Sequence, residues 1–163
     1  MTKSYHVCCL VQSKAETLKI EIGARPKGVA GALDLLTHAL RHIVTAVMKR
    51  VKGESWRPPN EDMDLSKWLG LLRSKWEELP WSDRKNSTGA YTRTLLFETR
   101  HWRNQWAHQK LNSPEDRYRA IDTCERLLRG LSSKVPLANE YADDCATYFK
   151  PAALAAIKVR GSS

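Results

Sequence analysis

The sequence predicts an all-α protein: an up-down bundle of four to five helices, preceded by a short β-hairpin or irregular arm. Three observations carry this. From position 27 onward, apolar residues recur at alternating three- and four-residue steps. Capping residues, prolines and glycines fall where helices must start and stop. The links between helical segments are short, so neighbours are expected to pack antiparallel. A chain of 163 residues suits one domain with one core. Its boundaries read as an arm over 1–26, a bundle over 27–157 and a tail over 158–163.

In the arm, residues 5–11 and 17–22 are rich in β-formers and are separated by a polar stretch, which suits a small hairpin. The first helix carries Val29, Leu33, Leu36, Leu40, Ile43, Val47 and Val51 as one apolar stripe. Gly53 and then Pro58-Pro59 end it. Asp62 or Asp64 can cap the second helix, whose stripe is Leu65, Trp68, Leu69, Leu72 and Trp76, and Pro80 closes it. The third runs from Ser87 or Thr88 to His108. The fourth starts with Ser113 as N-cap, Pro114 in the first turn and Asp116 three residues after the cap. Its core positions are Ile121, Cys124, Leu128 and Leu131, and Gly130 weakens its end. Pro136 opens a fifth helix with Leu137, Tyr141, Cys145 and Tyr148; Pro151 interrupts it, and an alanine-rich tail follows.

Composition narrows the partners. A formal charge of +9 favours a polyanion, nucleic acid first and an anionic membrane surface second. No run of about 18 apolar residues occurs, so no membrane span is expected. No secretory signal is legible at the N-terminus. Cys8, Cys9, Cys124 and Cys145 lack any paired spacing and read as reduced thiols. An intracellular protein follows, with cytoplasm and nucleus undistinguished.

The most informative stretch is Arg103-Asn104-Gln105-Trp106-Ala107-His108 near the end of the third helix. Imidazole can move a proton near neutral pH. Guanidinium grips a phosphate bidentately. With a carboxamide to orient either group, these are the groups needed to cleave RNA without a metal, through attack of the ribose 2′-hydroxyl. At 100° per residue, Tyr91, Leu95, Thr99, Trp102 and Trp106 form the expected core stripe. Arg93, Leu96, Phe97, Arg100, Arg103, Asn104, Ala107 and His108 fall on the far side. Leu96 and Phe97 among arginines suggest a second buried surface. It is either a second packed face within the bundle or the seam of a two-fold homodimer through Leu96, Phe97 and Ala107. Arg103 and His108 point about 140° apart, so one helix positions them poorly for a single phosphate. Two copies meeting across an axis would bring two of each group into one cleft.

At this point the residues resemble a known family. The run Thr99-Arg100-His101-Trp102-Arg103-Asn104-Gln105-Trp106-Ala107-His108-Gln109, followed by 116–128, is similar to the HEPN superfamily (higher eukaryotes and prokaryotes nucleotide-binding). Within it, the likeness is to the branch typified by the C-terminal domain of a yeast nuclear endoribonuclease named for synthetic lethality with TREX. The resemblance covers positions 29–133. It implies a helical bundle dimerising through its motif helices, and metal-independent RNA cleavage in active members. Carried over, the functional positions are Arg103, Asn104 and His108. Some members keep the fold and lose catalysis, so an inactive RNA-binding or dimerising module stays open, as does a plain helical adaptor for an acidic protein. An antitoxin-like or RNA-processing protein partner fits the same resemblance.

Other features are weaker. Arg93, Arg100, Arg41, Lys49 and Arg50 are candidate RNA contacts, the last two at the basic end of the first helix, where a helix dipole also favours them. His38 and His42 lie four apart but away from the core stripe and without a paired cysteine or carboxylate, so solvated or interface histidines are expected rather than a metal site. Trp68, Trp76, Trp102 and Trp106 read as core; Trp56 and Trp81, in loops, are open to base stacking. No phosphate-cradling glycine loop, cofactor signature or metal-ligand set is visible.

Overall fold

The computed structural model describes residues 26–82 and 87–162. The expected arm lies outside the described residues. Among the described residues six α-helices follow one another: α1 (Gly28–Lys52), α2 (Leu65–Lys75), α3 (Ser87–Ala107), α4 (Pro114–Ser132), α5 (Leu137–Tyr148) and α6 (Lys150–Gly161). Single 3-10 turns, Trp76–Glu78 and Pro80–Ser82, bridge α2 to the following loop. The all-α bundle is as the sequence indicates.

The punctuation works through identifiable groups. Gly53 ends α1 at φ 105°, a conformation closed to most L-residues, while its N–H reaches the Lys49 carbonyl. Asp64 caps α2, its carboxylate accepting the Lys67 N–H at 2.9 Å. Ser113 caps α4 by accepting the Asp116 N–H, with Pro114 in the first turn. Pro151 sits in the first turn of α6, so it starts a helix as well as interrupting one. Residues 158–161, expected to trail as a tail, continue that alanine-rich helix because alanine is the best helix former.

Side-chain pairs fix the directions. Asp64 faces Arg103 and Glu77 faces Arg93, so α2 and α3 are antiparallel. Glu98 meets Thr123 and Tyr91 meets Arg126, so α3 and α4 are antiparallel. Lys52 pairs with Glu78 just past the end of α2, whereas Asp34, His38 and Arg41 share a cleft with Asp64 and Trp68 at its start. Thus α1 and α2 run parallel, not antiparallel as expected. The connection over 53–64 can reach about 40 Å when extended, ample to return past an α2 only about 16 Å long. α1, α2, α3 and α4 close a ring of neighbours; α5 and α6 lie one after the other along α4, and α5 also packs on α1.

One core unites these helices, led by Trp68, Leu35, Leu36, Leu40, Ile43, Leu72, Leu95, Ile121, Leu127 and Leu131. α1 is buried more widely than one stripe, adding Leu35, Ala39, Val44 and Met48, while Val51 is exposed. Trp81 is not a surface ring. It stacks on Trp76 with centroids 6.2 Å apart and donates its indole N–H to the Leu131 carbonyl at 3.1 Å. Trp56 is half-buried against the core. No helix among the described residues is long and apolar enough to cross a membrane.

Candidate active site

α3 is rotated about 60° from the expected orientation. Leu95 and Thr99 are buried as foreseen, but Thr92 and Leu96 replace Tyr91 and Trp106, which are exposed. Leu96, at 3% exposure, belongs to the core of the subunit and is withdrawn from the dimer seam. The reason is the double contact of α3. Tyr91, Thr92 and Glu98 meet α4 on one flank, and Arg93 and Arg103 meet the α2 side on the other, so the buried sector lies between them. The buried threonines satisfy their hydroxyls on their own helix: Thr92 on the Thr88 carbonyl and Thr99 on the Leu95 carbonyl, both at 2.7 Å. Phe97 remains on the outside at 49% exposure, and Ala107 is exposed too.

The motif occupies the last turns of α3. Arg103 is partly covered, with 30% of its side chain exposed. One guanidinium nitrogen, Nη2, lies 3.5 Å from Asp64 Oδ2, and Nη1 donates to Asn104 Oδ1 at 3.4 Å. Asp64 thus caps α2 with one oxygen and faces Arg103 with the other. Asn104 is half-buried, on the ridge it shares with Phe97 and His108. His108 is exposed at the helix end, its N–H on the Asn104 carbonyl at 3.0 Å. The chain then closes in a Schellman pattern: Gln109 N–H to the Trp106 carbonyl and Lys110 N–H to the Gln105 carbonyl, with Gln109 at φ 55°. This fixes the backbone at His108 while leaving its imidazole turned to solvent.

Within one subunit, Arg103 and Asn104 touch, whereas His108 stands apart on the outward face. Beside Arg103 opens a cleft of about 580 Å³ whose walls include Asp64, Arg41, His38 and Thr37. His38 and His42 have ring centroids 4.7 Å apart and both lie by Tyr141 of α5. Arg100 is exposed, one turn before Asn104. Arg93 is engaged with Glu77 at 3.2 Å. Lys49 and Arg50 sit at the far end of α2 from Asp64, beside the Lys52–Glu78 pair, and are not gathered around the motif. Trp102 is half-buried, and its indole N–H has no acceptor among the described residues.

Asp64 was legible only as a cap; its place beside Arg103, 39 positions away in sequence, carries no linear signal. The same holds for the α1 wall of the cleft.

No curated protein and no solved structure matches the chain. The family model described as Swt1-like HEPN matches residues 58–132, a stretch that takes in α2, α3 and α4 whole, and with them the Asp64–Arg103 pair, Asn104 and His108. Over that stretch, just under half of its length, the chain is similar to the Swt1-like branch of the HEPN superfamily.

Proposed function

We propose that the protein is a metal-independent endoribonuclease that acts as a two-fold homodimer through the outward face of α3. The carrying observation is a ridge of α3 on which Phe97 and His108 are exposed, with the half-buried Asn104 between them accepting a hydrogen bond from Arg103. A lone subunit offers a proton carrier and a phosphate-binding cation that diverge. A second copy packed on Phe97 and Ala107 supplies the missing partners from across the axis. In that cleft, His108 removes the proton from a ribose 2′-hydroxyl. The freed oxygen attacks the adjacent phosphorus, and Arg103 neutralises the charge that builds on the pentacoordinate phosphate. Asn104 orients Arg103, to which it is already bonded. The 5′-oxygen leaves with a proton, giving a 2′,3′-cyclic phosphate and a 5′-hydroxyl end. DNA, lacking the attacking hydroxyl, is not a substrate.

A second reading is a catalytically silent HEPN module that binds RNA or a protein partner. The carboxylate of Asp64 beside Arg103 favours it, since it competes with a phosphate for the same guanidinium. Incubation of single-stranded RNA with wild type and with His108→Ala, both in chelator, separates the two. Cyclic phosphate ends from wild type alone support the nuclease; equal cleavage by both proteins, or none by either, removes it.

A further inference from the structure

We infer that the flank between α2 and α3 is the path of the RNA backbone leading away from the scissile phosphate, with Arg100 and Arg73 each binding a phosphate along it. This rests on the nuclease reading for the position of the scissile bond, but the path is argued from independent features. Two ion pairs fix the register of the antiparallel α2 and α3: Asp64 with Arg103 at one end, Glu77 with Arg93 at the other. On α3, Arg93, Arg100 and Arg103 recur at helical spacing on the flank turned to α2. On α2, Ser66, Gly70 and Arg73 recur in the same way on the line that ends at Glu77.

Between the two end pairs, α2 offers only the small Ser66 and Gly70 on this line. A Cβ built on Gly70 would meet nothing within 4 Å, so the space beside it is open. Arg100 and Arg73 are both exposed at this stretch. The cations at the ends of the flank are neutralised by carboxylates, whereas neither of these takes part in an ion pair with a described residue. Arg100 lies about 4.5 Å along the helix axis from Arg103. Arg73, by the register, lies on the opposite wall about two and a half turns from the Asp64 end. From the motif the three guanidiniums therefore rise in steps of about 4.5 and 9 Å along the flank, a line that an extended single strand can follow. Contacts of this kind carry affinity and no base preference.

The test measures binding of a 12-nucleotide oligouridylate by fluorescence anisotropy across a salt series, in the non-cleaving His108→Ala background. Each phosphate contact contributes a slope of about 0.7 in log affinity against log salt for a single strand. Arg73→Ala and Arg100→Ala should each reduce the slope by about that amount and weaken binding about fivefold at 0.1 M salt. Arg73→Lys should restore most of the slope. Lys158→Ala, on the exposed outer part of α6, is the control and should change neither. Unchanged slopes for Arg73→Ala and Arg100→Ala would overturn the path while leaving the nuclease reading standing. An equal loss from Lys158→Ala would overturn it as diffuse attraction. Failure of the nuclease reading registers separately, as loss of wild-type cleavage ends.

Discussion

Gln109 is the one described non-glycine residue with positive φ, and it directly follows His108. A left-handed conformation costs an ordinary L-residue about 1–2 kcal/mol, part of which glycine escapes. Gln109→Gly should therefore raise unfolding free energy by about 0.5–1 kcal/mol in a denaturant titration; a loss of stability would mean the glutamine side chain holds the turn. Gly130 is the opposite case. A Cβ there would fall 2.3 Å from Thr92 Oγ1, so Gly130→Ala must push α3 and α4 apart and should cost about 1–3 kcal/mol. In sequence, Gly130 reads only as a weak helix end, because a close approach between helices leaves no mark on either strand of text. The buried thiols carry a third expectation. Burial pushes Cys145 up to about 12, and the nearby Glu125 carboxylate adds to this. In the unfolded chain the thiol ionises near its ordinary 9.0, so its contribution to stability is lost as pH rises from there toward 12. Alkylation of Cys145 at pH 8 should be far slower in the native protein than in denaturant, as read by peptide mass.

The elements were legible to different degrees. Caps and prolines placed the ends of α1, α2 and α4 well, because each signal acts within a turn of where it is written. The face of α3 was not legible. Helical spacing alone puts Tyr91 and Trp106 on the core stripe, whereas Thr92 and Leu96 hold those places by virtue of what α2 and α4 present to them. α6 shows the same dependence: none of its residues is buried, yet Lys150 ties its start to α4 through Asp122 and Glu125, both at 2.7 Å. Burial alone would lower this lysine, but the two carboxylates outweigh it and hold its pKa above the ordinary value. Because the folded value is the higher one, the bridge contributes fully below about 10.5 and is lost only as pH climbs through the raised value. Lys150→Met leaves Asp122 to Arg126 and Glu125 to Arg129, removes the tie to α4, and should cost about 1–2 kcal/mol at neutral pH, between the values for surface and buried pairs. Chemical denaturation checks this; an unchanged midpoint would show that α6 docks without the bridge.

At the scale of the whole molecule, the motif was legible as chemistry and illegible as geometry. Arg103, Asn104 and His108 stand together in the sequence, but one subunit joins only the first two. Phe97, exposed on the ridge that carries Asn104 and His108, is the side chain on which the proposed assembly rests. A charge there leaves the core untouched and, in the proposed dimer, sets like charges against each other across the two-fold axis. The most direct test is the cleavage rate per subunit of Phe97→Glu, measured together with its mass by sedimentation. The expected result is a helical monomer whose rate per subunit falls at least a hundredfold below that of a dimeric wild type. A monomer that cleaves single-stranded RNA at the wild-type rate would contradict it, because the reacting groups would then meet within a single chain.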